Sequence, residues 1–180
     1  MALITAIAYD VERNLGRAYN ATMERLRAGD WACFLDHDAM FTTREWYPQI
    51  LAAIAEHPDA GLFAAVTNRI GRKSQIPRGA PESHDMREHF AFGAMLRDRH
   101  GSTAQDITDD SPISGVVMIL SRETWERMGG FRDGFFGVDN AAHRDVAKAG
   151  RRVYLLSGLY VYHWYRADGR KHENAPRAQK

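Results

Sequence analysis

Up to residue 67 the chain alternates between short apolar runs and segments of helical periodicity, and this alternation restricts its fold more than any other feature. Residues 3–9 read as a strand. A helix follows over 14–27, where Leu15, Ala18, Tyr19, Met23 and Leu26 keep helical spacing up to Gly29-Asp30. Residues 31–35, Trp-Ala-Cys-Phe-Leu, form a second apolar strand. Thr42 or Thr43 can cap a helix over 44–56, which stops before His57-Pro58, and residues 61–67 form a third strand. Parallel neighbours need a crossover between them, so this order predicts an α/β fold whose mixed sheet is mostly parallel and flanked by helices.

The second half continues the pattern less regularly. Residues 68–81 hold Gly, Pro, Ser and Gln, carry Arg69, Arg72, Lys73 and Arg78, and read as a long loop with few core residues. A helix is expected over 83–99, a short strand over 105–108 and a confident apolar strand over 114–120. Ser121 caps a short helix over 122–128, and Gly129-Gly130-Phe131 turns the chain. A helix over 140–149 and short strands over 152–156 and 160–162 complete a single domain, residues 1–166. The polar stretch 167–180 is expected to be a flexible tail.

Composition limits the functional classes. A net charge of +1 on 180 residues gives no general electrostatic case for binding nucleic acid or a membrane surface. Cys33 is the one cysteine, so no internal disulfide forms, and its apolar surroundings suit a small buried hydrophobe. No run approaches the ~20 apolar residues of a membrane span, and no basic leader opens the chain. The cytoplasm is the expected compartment.

Chemistry concentrates where the second strand ends, at Asp36-His37-Asp38. In extended chain, residues i and i+2 share a face, so both carboxylates can approach one hard cation such as Mg²⁺ or Mn²⁺. The competing reading makes Asp38 a helix cap or the pair a solvated turn. Three later features join it. Residues 129–140, Gly-Gly-Phe-Arg-Asp-Gly-Phe-Phe-Gly-Val-Asp-Asn, form a glycine- and aromatic-rich loop. Its Asp139 can act as a general base, as the N-cap of the following helix, or as both. His163 stands among aromatics in Tyr160-Val-Tyr-His-Trp-Tyr-Arg166, as a metal ligand or a core histidine. Ser114-Gly115 opens a strand where glycine permits close approach of a ligand, or simply a bulge.

Taken in order, Asn14-x-Gly16-x-x-x-Asn20, Asp36-x-Asp38, Ser114-Gly115, Gly129-Gly130-Phe131, Phe135-Phe136-Gly137-x-Asp139 and His163 resemble a GT-A glycosyltransferase of the family 2 type, over about residues 3 to 166. The resemblance implies a metal-dependent hexosyltransferase that moves a sugar from a nucleotide-sugar donor, UDP-sugar favoured, to a hydroxyl acceptor on a glycan, protein or other molecule. It implies Mn²⁺ or Mg²⁺ held by Asp38 and His163, with Asp36 on the metal or on the donor's ribose or sugar. Asn14, Gly16 and Asn20 match the segment behind the nucleotide, and Ser114 and Gly115 match the cleft wall. Asp139 matches the catalytic base, and Arg166 can assist the phosphates by bidentate contact.

Two departures accompany the likeness. The chain starts roughly where the third strand of the usual family member would be, so the first strand-helix-strand unit, with much of the nucleobase pocket, is expected to be missing. Weak donor binding, completion of the site by a partner or a homodimer, and substitution by segments such as Tyr9-Asp10 or the 68–81 loop all stay open. Gly137-Val-Asp-Asn140 has one acid where inverting members have two and is similar to the Gly-Glu-Asn run of retaining enzymes; inversion is favoured and retention stays open. Two other classes remain in view. One is a non-catalytic nucleotide- or glycan-binding relative. The other is a metal-dependent nucleotidyltransferase, for which Asp106, Asp109 and Asp110 are the candidate additional acids.

Overall fold

A computed structural model describes residues 1–164; Arg166 and the 167–180 tail lie outside the described residues. Seven strands form one sheet: β1 (Leu3–Ala6), β2 (Trp31–Leu35), β3 (Ala39–Phe41), β4 (Ala60–Thr67), β5 (Ala104–Asp106), β6 (Val117–Ser121) and β7 (Arg152–His163). Among the described residues five α-helices flank it: α1 (Leu15–Met23), α2 (Trp46–Glu56), α3 (Met86–His100), α4 (Arg122–Met128) and α5 (Val138–Lys148). No helix among the described residues is long and apolar enough to cross a membrane.

The spatial order is β1-β2-β6-β4-β7-β3, with β5 also on β7. The α/β class stands, but the sheet is mixed rather than mostly parallel. β1 with β2 and β4 with β7 are parallel, whereas β6 is antiparallel to both β2 and β4. β3 and β5 run antiparallel to β7. The alternation in the first 67 residues suggested neighbouring parallel strands. The tertiary fold instead slots β6, which begins only at Val117, between β2 and β4.

Strand periodicity assigns the core to two sides. Ala32, Phe34, Leu62, Ala64, Met118 and Leu120 face one cluster, closed by Tyr19 and Met23 of α1 and by Ala142 and Val146 of α5. Trp31, Cys33, Phe63, Ala65, Val117 and Ile119 face the other, closed by Ile50, Ala53 and Ile54 of α2. Every residue of β4 is buried, as a central strand covered on both faces requires. Cys33 is a free, fully buried thiol, pushed up to about 12 by burial, which fits its reading as a small hydrophobe.

Local expectations fare unevenly. Ser121 caps α4 by accepting the Thr124 N–H, as read. Gly129 and Gly130 then adopt φ of +78° and +84°, closing the helix through their N–H groups to Glu126 O and Trp125 O. Neither Thr42 nor Thr43 takes the expected cap of α2: Thr42 donates its buried hydroxyl to Tyr160 O at 2.7 Å, and the N-cap position is Glu45, which makes no side-chain cap hydrogen bond. The two short strands expected near the end are one strand, β7, with a register shift against β4 between Ala65 and Val66. Beside it Gly158 packs against the Gly101 carbonyl, which leaves no room for a side chain.

Candidate metal centre

Three strands that run in one direction, β2, β4 and β7, end at the same edge of the sheet, and each delivers part of the centre. Ligand sites of open α/β sheets form beyond such carboxyl ends. β2 delivers the acids. After Leu35 the chain leaves β2, with Asp36 N–H bonded to Val116 O at 3.1 Å, and turns so that Ala39 N–H reaches Asp36 O at 3.1 Å. The Asp36-x-Asp38 pair therefore sits on a tight turn, not on extended chain as expected. The turn re-enters the sheet as β3 beside β7, where Ala39 is the register partner of His163. Trp164 N–H donates to Asp38 O at 2.9 Å and fixes the turn against the end of β7.

β4 delivers the support for the histidine. Asn68, directly after the strand, accepts His163 N–H at Oδ1 (2.8 Å) and donates from Nδ2 to His163 O (3.3 Å). The next carbonyl, Arg69 O, lies 2.8 Å from His163 Nδ1. A carbonyl only accepts, so Nδ1 carries the proton and the ring's orientation is set. Nε2 then lies 3.2 Å from Asp38 Oδ1 and 3.8 Å from Asp36 Oδ2. One ligand atom from each of Asp36, Asp38 and His163 falls within 4.8 Å of the others.

Electrostatics explain what this arrangement demands. His163 is almost wholly buried, and the two aspartates are partly exposed. A neutral ring protonated at Nδ1 turns a lone pair toward two carboxylates. Either a second ring proton or a cation among the three groups removes the repulsion. Burial pushes Asp36 up to about 6; nearby His163 opposes this, and the charges of Asp38 and Asp139 reinforce it. Asp38 is held below its usual range, chiefly by the hydrogen bond it accepts from His163 when Nε2 also carries a proton. Two carboxylates and an imidazole with its second nitrogen on a carbonyl are a donor set suited to a divalent metal, so the group fits one.

Asp139 stands close to this centre. It lies in the first turn of α5, whose N-cap is Gly137 at φ +71°, so it is not the N-cap that was one of its two expected roles. Its Oδ2 accepts Gly115 N–H at 2.7 Å and its Oδ1 accepts the following Asn140 N–H at 2.8 Å. A side chain at Gly115 would come within 2.8 Å of the Asp139 Cβ, so glycine there permits this approach. Tyr19 joins the two halves: burial first, then the charges of Asp36 and Asp139, raise its hydroxyl pKa strongly. Its ring is wedged between Phe34 and Phe131, at 4.5 and 4.9 Å.

The remaining sequence-derived residues have clear places. Asn14 caps α1 by accepting Arg17 N–H and also accepts Gly134 N–H. Gly16 lies against the Arg132 carbonyl, with no space for a Cβ. Asn20 donates to Phe131 O and accepts from Phe131 N–H and Trp125 Nε1–H, each within 2.9 Å. All three thus anchor the 129–137 loop to α1. The main chain of Ser114 is held by Gln75, which accepts its N–H at 2.7 Å and donates to its carbonyl at 3.1 Å. Gln75 is buried and sits in a 3₁₀ turn, Lys73–Gln75, so the 68–81 loop contributes more structure than its composition suggested.

Sequence reasoning missed Asn68 and Gln75 and read Tyr19 only as an apolar helix position. A polar residue directly after a mostly apolar strand was the available signal for Asn68; nothing local marks the other two. Comparison with known protein families and with curated proteins found no match.

Proposed function

We propose that the protein is a metal-dependent glycosyltransferase that moves a sugar from a nucleoside diphosphate donor, a UDP-sugar by preference, to a hydroxyl acceptor. The observation that carries this reading is the convergence of Asp36, Asp38 and His163 at the carboxyl ends of β2, β4 and β7, with His163 Nδ1 tied to Arg69 O. The three residues would hold Mn²⁺ or Mg²⁺, and the imidazole favours Mn²⁺. A bound divalent cation supplies positive charge where the diphosphate gathers negative charge on leaving.

The chain's own groups divide the remaining work. Asp139, oriented by Gly115 N–H and Asn140 N–H, accepts the proton of the acceptor hydroxyl. That oxygen bonds to the anomeric carbon, the bond from this carbon to the phosphate oxygen breaks, and nucleoside diphosphate departs. Tyr19, Phe34 and Phe131 are buried in mutual ring contact, and Tyr19 is near enough to Asp36 and Asp139 to feel both charges. The nucleotidyltransferase alternative is less well served, because Asp36, Asp38 and His163 are the one cluster of its kind among the described residues. Asp106 is instead engaged by Thr108 and Arg152.

Calorimetric titration of UDP, GDP, CDP and TDP, each with Mn²⁺ and with EDTA, tests the proposal. One nucleotide should bind only with metal, and Asp38→Ala should abolish that binding while the melting temperature in EDTA stays unchanged. Product analysis with acceptor mixtures should show nucleoside diphosphate; release of pyrophosphate, or no metal-dependent nucleotide binding, overturns the reading.

A further inference from the structure

Beside Asp139 lies a polar cleft of about 180 Å³ that contains none of the metal-binding residues. Its walls come from Gly71 and Arg72 of the 68–81 loop, from Pro112 and Ser114, and from Asn140 and Arg144 of α5. Ser114 faces Gly71 across it with its hydroxyl. Asn140 donates its amide to Ile113 O at 2.6 Å and so fixes the wall next to Asp139.

The cleft is unusual in its charge. Arg72 donates Nε–H to Ser74 Oγ at 3.2 Å, and among the described residues neither Arg72 nor Arg144 forms an ion pair. Both guanidiniums act on one buried neighbour, His143. Burial chiefly, and then Arg144 and Arg72, lower its pKa, while its bond to Thr108 O and the charge of Asp110 oppose them. Asp110 lines a smaller adjoining pocket with Arg72, outside ion-pair distance. Two like charges at one cavity repel until an anion lies between them, and the planar fork of arginine matches the oxygens of phosphate and carboxylate.

We infer that this cleft binds an oxyanion, and that the acceptor carries a phosphate or carboxylate beside the hydroxyl that receives the sugar. The assignment to the acceptor rests on the proposed sugar transfer. Two lining residues, Ser114 and Asn140, adjoin Gly115 and Asp139, so a molecule seated against the two arginines reaches Asp139 first. The donor diphosphate belongs at the metal-binding residues, which the cleft does not include.

The test uses the full chain with inorganic phosphate and, separately, glucuronate, each titrated in EDTA at low ionic strength by calorimetry. Saturable binding of at least one is expected. It should weaken about tenfold in Arg72→Gln and again in Arg144→Gln, as for a lost hydrogen bond to a charged group, and stay at parent affinity in Asp38→Asn. Preference for phosphate or for glucuronate identifies the acid. Absence of saturation with both, or parent affinity in the double arginine variant, overturns the cleft. Repeating the titration with UDP and Mn²⁺ present separates acceptor from donor: unchanged affinity supports the acceptor assignment, and competition by UDP overturns it. Arginine-dependent binding without any metal-dependent nucleotide binding leaves the oxyanion cleft standing and removes the sugar-transfer reading.

Discussion

The two halves of the centre are built to different standards of rigidity. His163 is about 3% exposed; its N–H, its carbonyl and its Nδ1 are all bonded to Asn68 or Arg69. The opposite half descends from the 129–137 loop, where Gly130, Gly134 and Gly137 take positive φ and Phe135 is 43% exposed. That loop is tethered at a few points, chiefly by Asn14 and Asn20, and leads into Asp139. A metal site requires fixed distances, and the ends of paired strands supply them. An acceptor site must admit a second molecule, and a glycine-rich surface loop suits that.

Substitutions on either side measure this contrast. The largest effect belongs to Asp139→Asn on the loop side. Turnover should fall about 100-fold or more while metal-dependent nucleotide affinity is kept; steady-state kinetics beside calorimetry read both, and normal turnover removes Asp139 from the chemistry. On the rigid side, Asn68→Ala frees the main chain of His163. Mn²⁺ affinity should drop about tenfold or more, as when an outer partner of a ligand is lost, and superposable Mn²⁺ titrations would show that β7 alone holds the ring.

A pH series sharpens the comparison further. Asp36 is raised from 3.8 to about 6 by burial, so its neutral form is the one the fold favours. Its contribution to stability is fully present below about 4 and is lost as pH rises through about 6 in metal-free protein. Asp38 is shifted downward, so its contribution changes only below that window. Asp36→Asn should therefore melt with the parent at pH 4 and above it at pH 7.5 in EDTA, and Mn²⁺ should narrow the gap. Equal melting temperatures at both pH values would show that Asp36 is solvated. The smallest effect is expected for Phe135→Ala, within about 0.5 kcal/mol by chemical denaturation; a larger loss would mean that the loop is packed as firmly as β7.

Much of the site was legible because it depends on short-range chemistry. Asp36 and Asp38 are two residues apart at the end of an apolar strand, and His163 closes the last one. Ser121, Gly129 and Gly130 were equally readable, since caps and left-handed turns are decided within a few residues. The readings that failed depended on distant partners. Thr42 looks like a cap until Tyr160 O takes its hydroxyl. Asn14, Gly16 and Asn20, grouped by the family resemblance, are a separate case: they hold a loop more than a hundred residues away, a contact that no local stretch displays.

By itself the sequence determined most of the strands and helices, though neither β3 nor the continuity of β7, as well as which faces are apolar and which three side chains have the chemistry to hold a metal. Each depends on periodicity or on residue type and is carried by a local stretch of chain. Only the tertiary structure decided that β6 would run antiparallel between β2 and β4, and that Asn68 and Arg69 would orient His163. It also decided that Tyr19 would come near enough to both Asp36 and Asp139 to feel their charges, and that Arg72 and Arg144 would share one cleft. Strand order and side-chain convergence follow from the joint burial of all apolar faces at once, a condition that no single segment contains.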